Sequence, residues 1–102
     1  MRSPSRRRSS TAVEAGRAVA VEALVFLGAD AARLERFLAV TGLGPHNLRR
    51  AAADPGFLVS VLDYLLADER LLVAFAAESG RRPEDVARAG EALGGPPLAY
   101  NP

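Results

Sequence analysis

Two stretches of this chain match each other at a fixed offset of 38 residues. Residues 30–53 read DAARLERFLAVTGLGPHNLRRAAA, and residues 68–91 read DERLLVAFAAESGRRPEDVARAGE. Asp30 falls on Asp68, Leu34 on Leu72, Phe37 on Phe75 and Ala39 on Ala77. Gly42 falls on Gly80, Pro45 on Pro83, Arg50 on Arg88 and Ala51 on Ala89. A unit this short cannot enclose a core alone, so two copies must bury their apolar faces on each other. The alternative is that the shared Asp, Gly and Pro are only the common start and stop signals of helices. Both explanations predict similar helix boundaries.

Those signals divide the chain into helices. Thr11 and Glu14 have the spacing of a capping box, which starts a first helix running to about Leu27, with Gly28 as a left-handed stop. Asp30 is an N-cap for a second helix, with Leu34, Phe37, Leu38 and Thr41 on one face and Gly42 as its stop. Pro45 opens a short third helix over about residues 46–53, presenting Leu48, Ala51 and Ala52 inward. Asp54-Pro55 then starts FLVSVLDYLLA, which is apolar almost all round and belongs at the centre of the fold. Asp68 caps a fifth helix with Leu72, Phe75, Ala76 and Ser79 inward, and Gly80 stops it. Pro83 starts a sixth with Val86, Ala89 and Leu93 inward, and Gly94-Gly95-Pro96-Pro97 ends it.

The expected fold is therefore all-α: a compact bundle of five to six short helices, arranged as two pseudo-repeated three-helix units. The first and fourth helices align at the offset and are expected to cross near a pseudo-twofold axis. Residues 1–10 are expected as a disordered Arg/Ser-rich arm, residues 11–95 as one helical domain, and residues 96–102 as a C-terminal tail.

Composition removes several classes of chemistry. There is no Cys, which rules out disulfides, iron–sulfur clusters and thiolate zinc sites. With one His, any metal would need almost purely carboxylate ligands, and the acids sit at helix starts where capping explains them. No metal and no cofactor is expected. The net charge of +1 hides an asymmetry, because four of the 13 arginines lie in the first ten residues, which hold no acid. The remainder carries nine arginines against twelve acids and is not a basic surface. Arg6-Arg7-Arg8 before an apolar run imitates a secretion signal, but Arg17, Glu14 and Glu22 interrupt it. No membrane span is expected, since no stretch of about 20 residues is free of charge.

Two surfaces are candidates for binding. The helix pair around Gly42 invites comparison with helix-turn-helix DNA readers. His46, Asn47, Arg49 and Arg50 would face nucleic acid there, assisted by Arg6, Arg7 and Arg8 of the arm. Leu38 stands where such readers prefer a small residue, and the second copy carries Glu84, Asp85 and Glu91, which repel phosphate. The second surface is apolar. Val25, Val40, Val59, Tyr64, Leu66 and Val73 exceed what one inward face needs, and Val40, Val59, Tyr64 and Val73 are the candidate partner patch. Glu22 and Asp63 interrupt apolar helices and are expected on solvent-facing strips. No nucleophile elbow, phosphate loop or metalloprotease helix is present, so no catalytic residue is assigned.

The stretches RFLAVTGL and DPGFLVSVLDYLLADE, within residues 34–80, resemble a family of short alphaproteobacterial proteins of unknown function. The resemblance extends over about residues 18–95 and implies a bacterial, cytoplasmic helical protein. It carries no activity and no site residue. The expected function is a non-enzymatic helical module for protein interaction or oligomerisation, its partner another protein or a second copy in a homodimer. The alternative is weak nucleic-acid binding through the hairpin and the arm. Function specific to one half belongs where the copies differ, as at His46-Asn47 against Glu84-Asp85 and Arg49 against Ala87.

Overall fold

The computed structural model of the chain describes the backbone of residues 4–94 and the side chains of residues 11–94. Six α-helices follow one another: α1 (Pro4–Gly28), α2 (Ala31–Thr41), α3 (Leu48–Ala51), α4 (Pro55–Leu66), α5 (Glu69–Ser79) and α6 (Pro83–Gly94). A 3₁₀ turn, Pro45–Asn47, precedes α3. No strand occurs among the described residues, and the fold is an all-α bundle. The tail residues Leu98 and Tyr100 lie outside the described residues.

Matched residues make matched local structure. The Asp30 carboxylate accepts from the Arg33 N–H at 3.1 Å, and Asp68 accepts from the Leu71 N–H at 3.2 Å. These are N-caps that satisfy amides the helix leaves unpaired. Gly42 (φ 77°) and Gly80 (φ 75°) are both left-handed, and their N–H groups donate back to Leu38 and Ala76 carbonyls. The hydroxyls one residue earlier also correspond. Thr41 donates to the Phe37 carbonyl at 3.0 Å and accepts from Leu43 N–H, while Ser79 donates to Phe75 at 2.7 Å and accepts from Arg81 N–H. Each pair stands 38 positions apart.

Three expected boundaries are corrected. α1 begins at Pro4, so Thr11 lies inside the helix and does not start it. Proline suits a first helical position, and the Ser and Arg residues that follow do not break a helix. Gly28 is not left-handed, because only Gly42 and Gly80 have positive φ among the described residues. α1 instead tightens at its end, where Ala29 N–H reaches the Val25 and Phe26 carbonyls and Asp30 N–H reaches Leu27. The third helix is shorter than residues 46–53: it opens as a 3₁₀ turn and holds four α-helical residues. After Ala51 the backbone tightens, with Ala53 N–H reaching the Arg50 carbonyl and Asp54 N–H the Ala51 carbonyl, and Asp54, before Pro55, is extended (φ −92°, ψ 118°).

The core lies between α1, α4 and α6, which pack on one another. α1 contributes Val19, Ala20, Ala23, Phe26 and Leu27, and α4 contributes Leu58, Val61, Leu62 and Leu65. α6 adds Val86 and Ala89. α2 and α5 each insert one fully covered ring, Phe37 and Phe75. Phe26 meets Phe75 edge-on at 5.5 Å, and Tyr64 meets Phe37 edge-on at 5.0 Å. Those two contacts also map onto each other at the offset, with the first half's ring meeting the second half's in both. No polar or charged side chain is buried among the described residues. α1 and α6 approach closely at Gly16, where an added Cβ would stand 2.9 Å from the Ala89 carbonyl oxygen of α6.

Candidate functional site

α4 is central, but it is not covered all round. Ser60 and Asp63 leave a strip of it open, because they stand three positions apart and the helix turns them to one side. Beside this strip, the C-terminal end of α2 and the turn after it complete a groove of about 660 Å³. Val40, Leu43, Phe57 and Tyr64 form its apolar lining, and Asp54 and Asp63 supply its charge. Among the described residues no arginine lines it. Phe37 forms its floor, with the Tyr64 ring at 5.0 Å and the Phe57 ring at 5.9 Å. Val40 is 67% exposed at the rim.

The polar groups of this groove have little to do with each other. One Asp54 oxygen caps α4 through Gly56 N–H at 3.0 Å. The Ser60 hydroxyl donates to the Gly56 carbonyl at 3.2 Å. Asp63 is exposed and makes no ion pair with a described residue. The set contains no nucleophile held against a base, and among the described residues no group of three or more acids and histidines could hold a metal.

A second groove, of about 480 Å³, lies between α1 and α5. Val21, Val25, Phe26 and Phe75 line it, with Glu22 and Glu78. At the offset, Glu22 corresponds to Ser60, Val25 to Asp63, Phe26 to Tyr64 and Glu78 to Val40. Here both carboxylates have arginine partners within the chain. Arg81 donates from Nε and Nη2 to the two Glu22 oxygens at 2.7 and 2.8 Å. This bidentate hydrogen bond holds the Glu22 carboxyl below its usual range and raises the Arg81 guanidinium above its own. Arg33 lies 3.9 Å from Glu78 and stands 4.3 Å over the Phe26 ring. The matching positions in the first groove are Leu43 for Arg81 and Leu71 for Arg33.

The candidate patch is therefore split. Val40 and Tyr64 share the first groove. Val59 turns toward α6, where an added Cβ on Gly94 would meet it at 3.6 Å. Val73 is 53% exposed on α5 and lines neither groove. Val25 is exposed in the second groove. Leu43, Phe57, Asp54 and the Glu22–Arg81 pair were not singled out as site residues by their sequence pattern. The offset held the signal, since Glu22–Arg81 is charged in one copy and Ser60–Leu43 is not in the other.

The nucleic-acid candidates do not form a reading helix. The His46 ring folds back over Gly44, where an added Cβ would lie 2.9 Å from Cε1. Arg49 and Arg50 are exposed, but on a helix of one turn. Asn47 is half-buried. The side chains of Arg6, Arg7 and Arg8 lie outside the described residues. Among the described residues no helix is long and apolar enough to cross a membrane.

A family model described as a protein of unknown function, DUF3572, matches residues 13–96. The chain belongs to this family. The DUF3572 match takes in both grooves and the whole core, and it starts after Arg6, Arg7 and Arg8. No curated protein and no solved structure matches the chain.

Proposed function

We propose that this DUF3572 protein is a non-enzymatic helical interaction module that works in the bacterial cytoplasm and binds another protein through the groove between α2 and α4. The observation that carries this is the groove itself. Rings and aliphatic groups line it, the buried Phe37 ring packs against its Tyr64 ring, and its rim valine is 67% exposed among the described residues. Its acids are not arranged for proton transfer, which supports binding over catalysis. We further propose that the two halves are copies of one unit. The matched caps, left-handed glycines, hydroxyl contacts and ring pairs support this, and in such a duplication one groove is free to bind while its twin serves the fold.

The test is affinity capture from the source cell, with and without nuclease, using the native chain and Val40→Asp. The expected result is a protein captured by the native chain, retained after nuclease and lost with the variant. Capture that vanishes with nuclease, or that the variant leaves intact, would reject the proposal. Light scattering on the same samples reports whether the partner is a second copy.

Nucleic-acid binding through Arg49, Arg50 and the arm is the second proposal. Its support is narrower, since a one-turn α3 offers phosphate contacts and no base-reading face. It requires retention of DNA at low salt that falls steeply as salt rises.

A further inference from the structure

We propose that residues 95–102 of this chain are the first occupant of the groove between α2 and α4, lying across it until a partner displaces them. This rests on the interaction role proposed above and adds how that groove is regulated. α6 delivers the chain to the groove's edge. At Gly94, its last residue, an added Cβ would meet both Val59 methyls at 3.6 Å. Val59 adjoins Ser60 and stands one helical turn from Gly56 and Asp63, and all three line the groove. The segment after Gly94 therefore starts beside the open strip of α4. Among the described residues the α1–α5 groove has no lining residue on α4 or α6, so it does not lie on this route.

Residues 95–102 read GPPLAYNP and lie outside the described residues. An extended segment of that length reaches about 25 Å. That is about twice the width of a helix with its side chains, enough to cross α4 and arrive at Val40. Chemistry supports the match. Three of these residues are proline, which favours an extended chain and has no N–H to leave unpaired on an apolar surface. Proline-rich segments dock in grooves lined by aromatic rings, and Phe57 and Tyr64 supply the rings here. Leu98 and Tyr100 bring apolar side chains for Val40 and Leu43 to pack against. The segment holds no acid, so Asp54 and Asp63 do not repel it.

The test uses the absence of Cys. Pro102→Cys gives the full chain a single thiol for a nitroxide label, and nuclear magnetic resonance reads which signals the label broadens. Broadening is expected at Val40, Leu43 and Tyr64, with Val21, Val25 and Phe75 unaffected. Leu98→Ser with Tyr100→Ser in the same labelled chain should remove most of that broadening, while thermal melting shows a folded body. This separates docking from tethering, because a tail that is only attached broadens both chains alike. If the serine variant unfolds, Val40→Asp in the labelled chain decides, and it should release the tail as well. Broadening that persists in the deciding variant, spreads over both grooves or is absent would overturn the proposal. A groove filled about nine-tenths of the time binds a partner about tenfold more weakly. The serine variant should therefore raise capture by about that factor, and unchanged capture would overturn the regulation. Nuclease-resistant capture that Val40→Asp abolishes would leave the broader interaction role standing in each of those cases. A docked tail with no partner captured would reject that role alone.

Discussion

Arg81 and Glu22, separated by 59 positions in the chain, face each other with two hydrogen bonds of 2.7 and 2.8 Å. The pair ties the turn between α5 and α6 to the C-terminal third of α1. Arg81 is positioned for this by its own turn, where its N–H donates to the Ser79 hydroxyl beside left-handed Gly80. The matched turn in the other half is built the same way and presents Leu43 instead. One backbone device thus brings a cation to the Glu22 carboxylate in one half and an aliphatic group to the α2–α4 groove in the other.

The first prediction concerns pH. The hydrogen bond from Arg81 lowers the Glu22 pKa in the folded state, so folding favours the ionised form. That contribution is fully present above the ordinary glutamate range and is lost as pH falls through the lowered folded value. The side chains are 32% and 44% exposed, so solvent screening limits the pair to about 0.5–1 kcal/mol. Arg81→Ala should lose that amount in urea unfolding at about pH 7. The difference from the native chain should shrink toward zero as pH falls below the lowered folded value, where Glu22 is protonated. A difference independent of pH would show that Arg81 acts by packing alone.

The second prediction inverts a helix rule. Replacing an interior helical glycine by alanine ordinarily stabilises by about 1 kcal/mol. Gly16 is an interior helical glycine, but its Cβ would lie 2.9 Å from the Ala89 carbonyl oxygen, and backbone cannot step aside cheaply. Gly16→Ala should therefore destabilise, by about 1–3 kcal/mol, as α1 and α6 are pushed apart. Thermal melting gives the sign directly. A stabilised Gly16→Ala would mean that the two helices do not approach as described.

These cases mark what was legible before the structure. The Asp30 and Asp68 caps and the Gly42 and Gly80 stops are encoded by single residues acting on their own neighbours, and each lies where its signal places it. Gly28 carries the same letter but no left-handed turn, because Ala29 and Asp30 close α1 through backbone bonds and Asp30 caps α2 at once. The short α3 ends in a tightened turn before Pro55, two residues past the segment that reads as helical. Gly16 and the Glu22–Arg81 pair depend on which helices touch, and no local pattern states that. For the same reason Val40 and Tyr64 came together while Val59 and Val73 did not. Exposure follows from tertiary packing, and all four had looked alike as surplus apolar positions.

The third prediction separates strain from crowding at the two left-handed glycines. Both have open space where a Cβ would go, so only the backbone conformation resists substitution. Gly42→Ala and Gly80→Ala should each cost about 1–2 kcal/mol. Asparagine, which tolerates this conformation, should cost less at both sites. Matched losses in chemical denaturation would fit two equivalent turns. A Gly42→Ala change without cost would remove that equivalence.

The fourth prediction sets the groove's floor against its rim. Phe37 is fully covered and supports both Tyr64 and Phe57, whereas Val40 stands 67% exposed above it. Phe37→Ala should destabilise by about 3–5 kcal/mol, through lost burial and the cavity left beneath two rings. Val40→Asp touches no core contact and should leave stability within about 0.5 kcal/mol. Denaturation curves for both, read beside capture of a partner, divide the roles. Loss of capture with Val40→Asp at native stability would assign the rim to binding. A large loss of stability with Val40→Asp would instead place Val40 in the packing of α2 against α4, and the groove would no longer be a free surface.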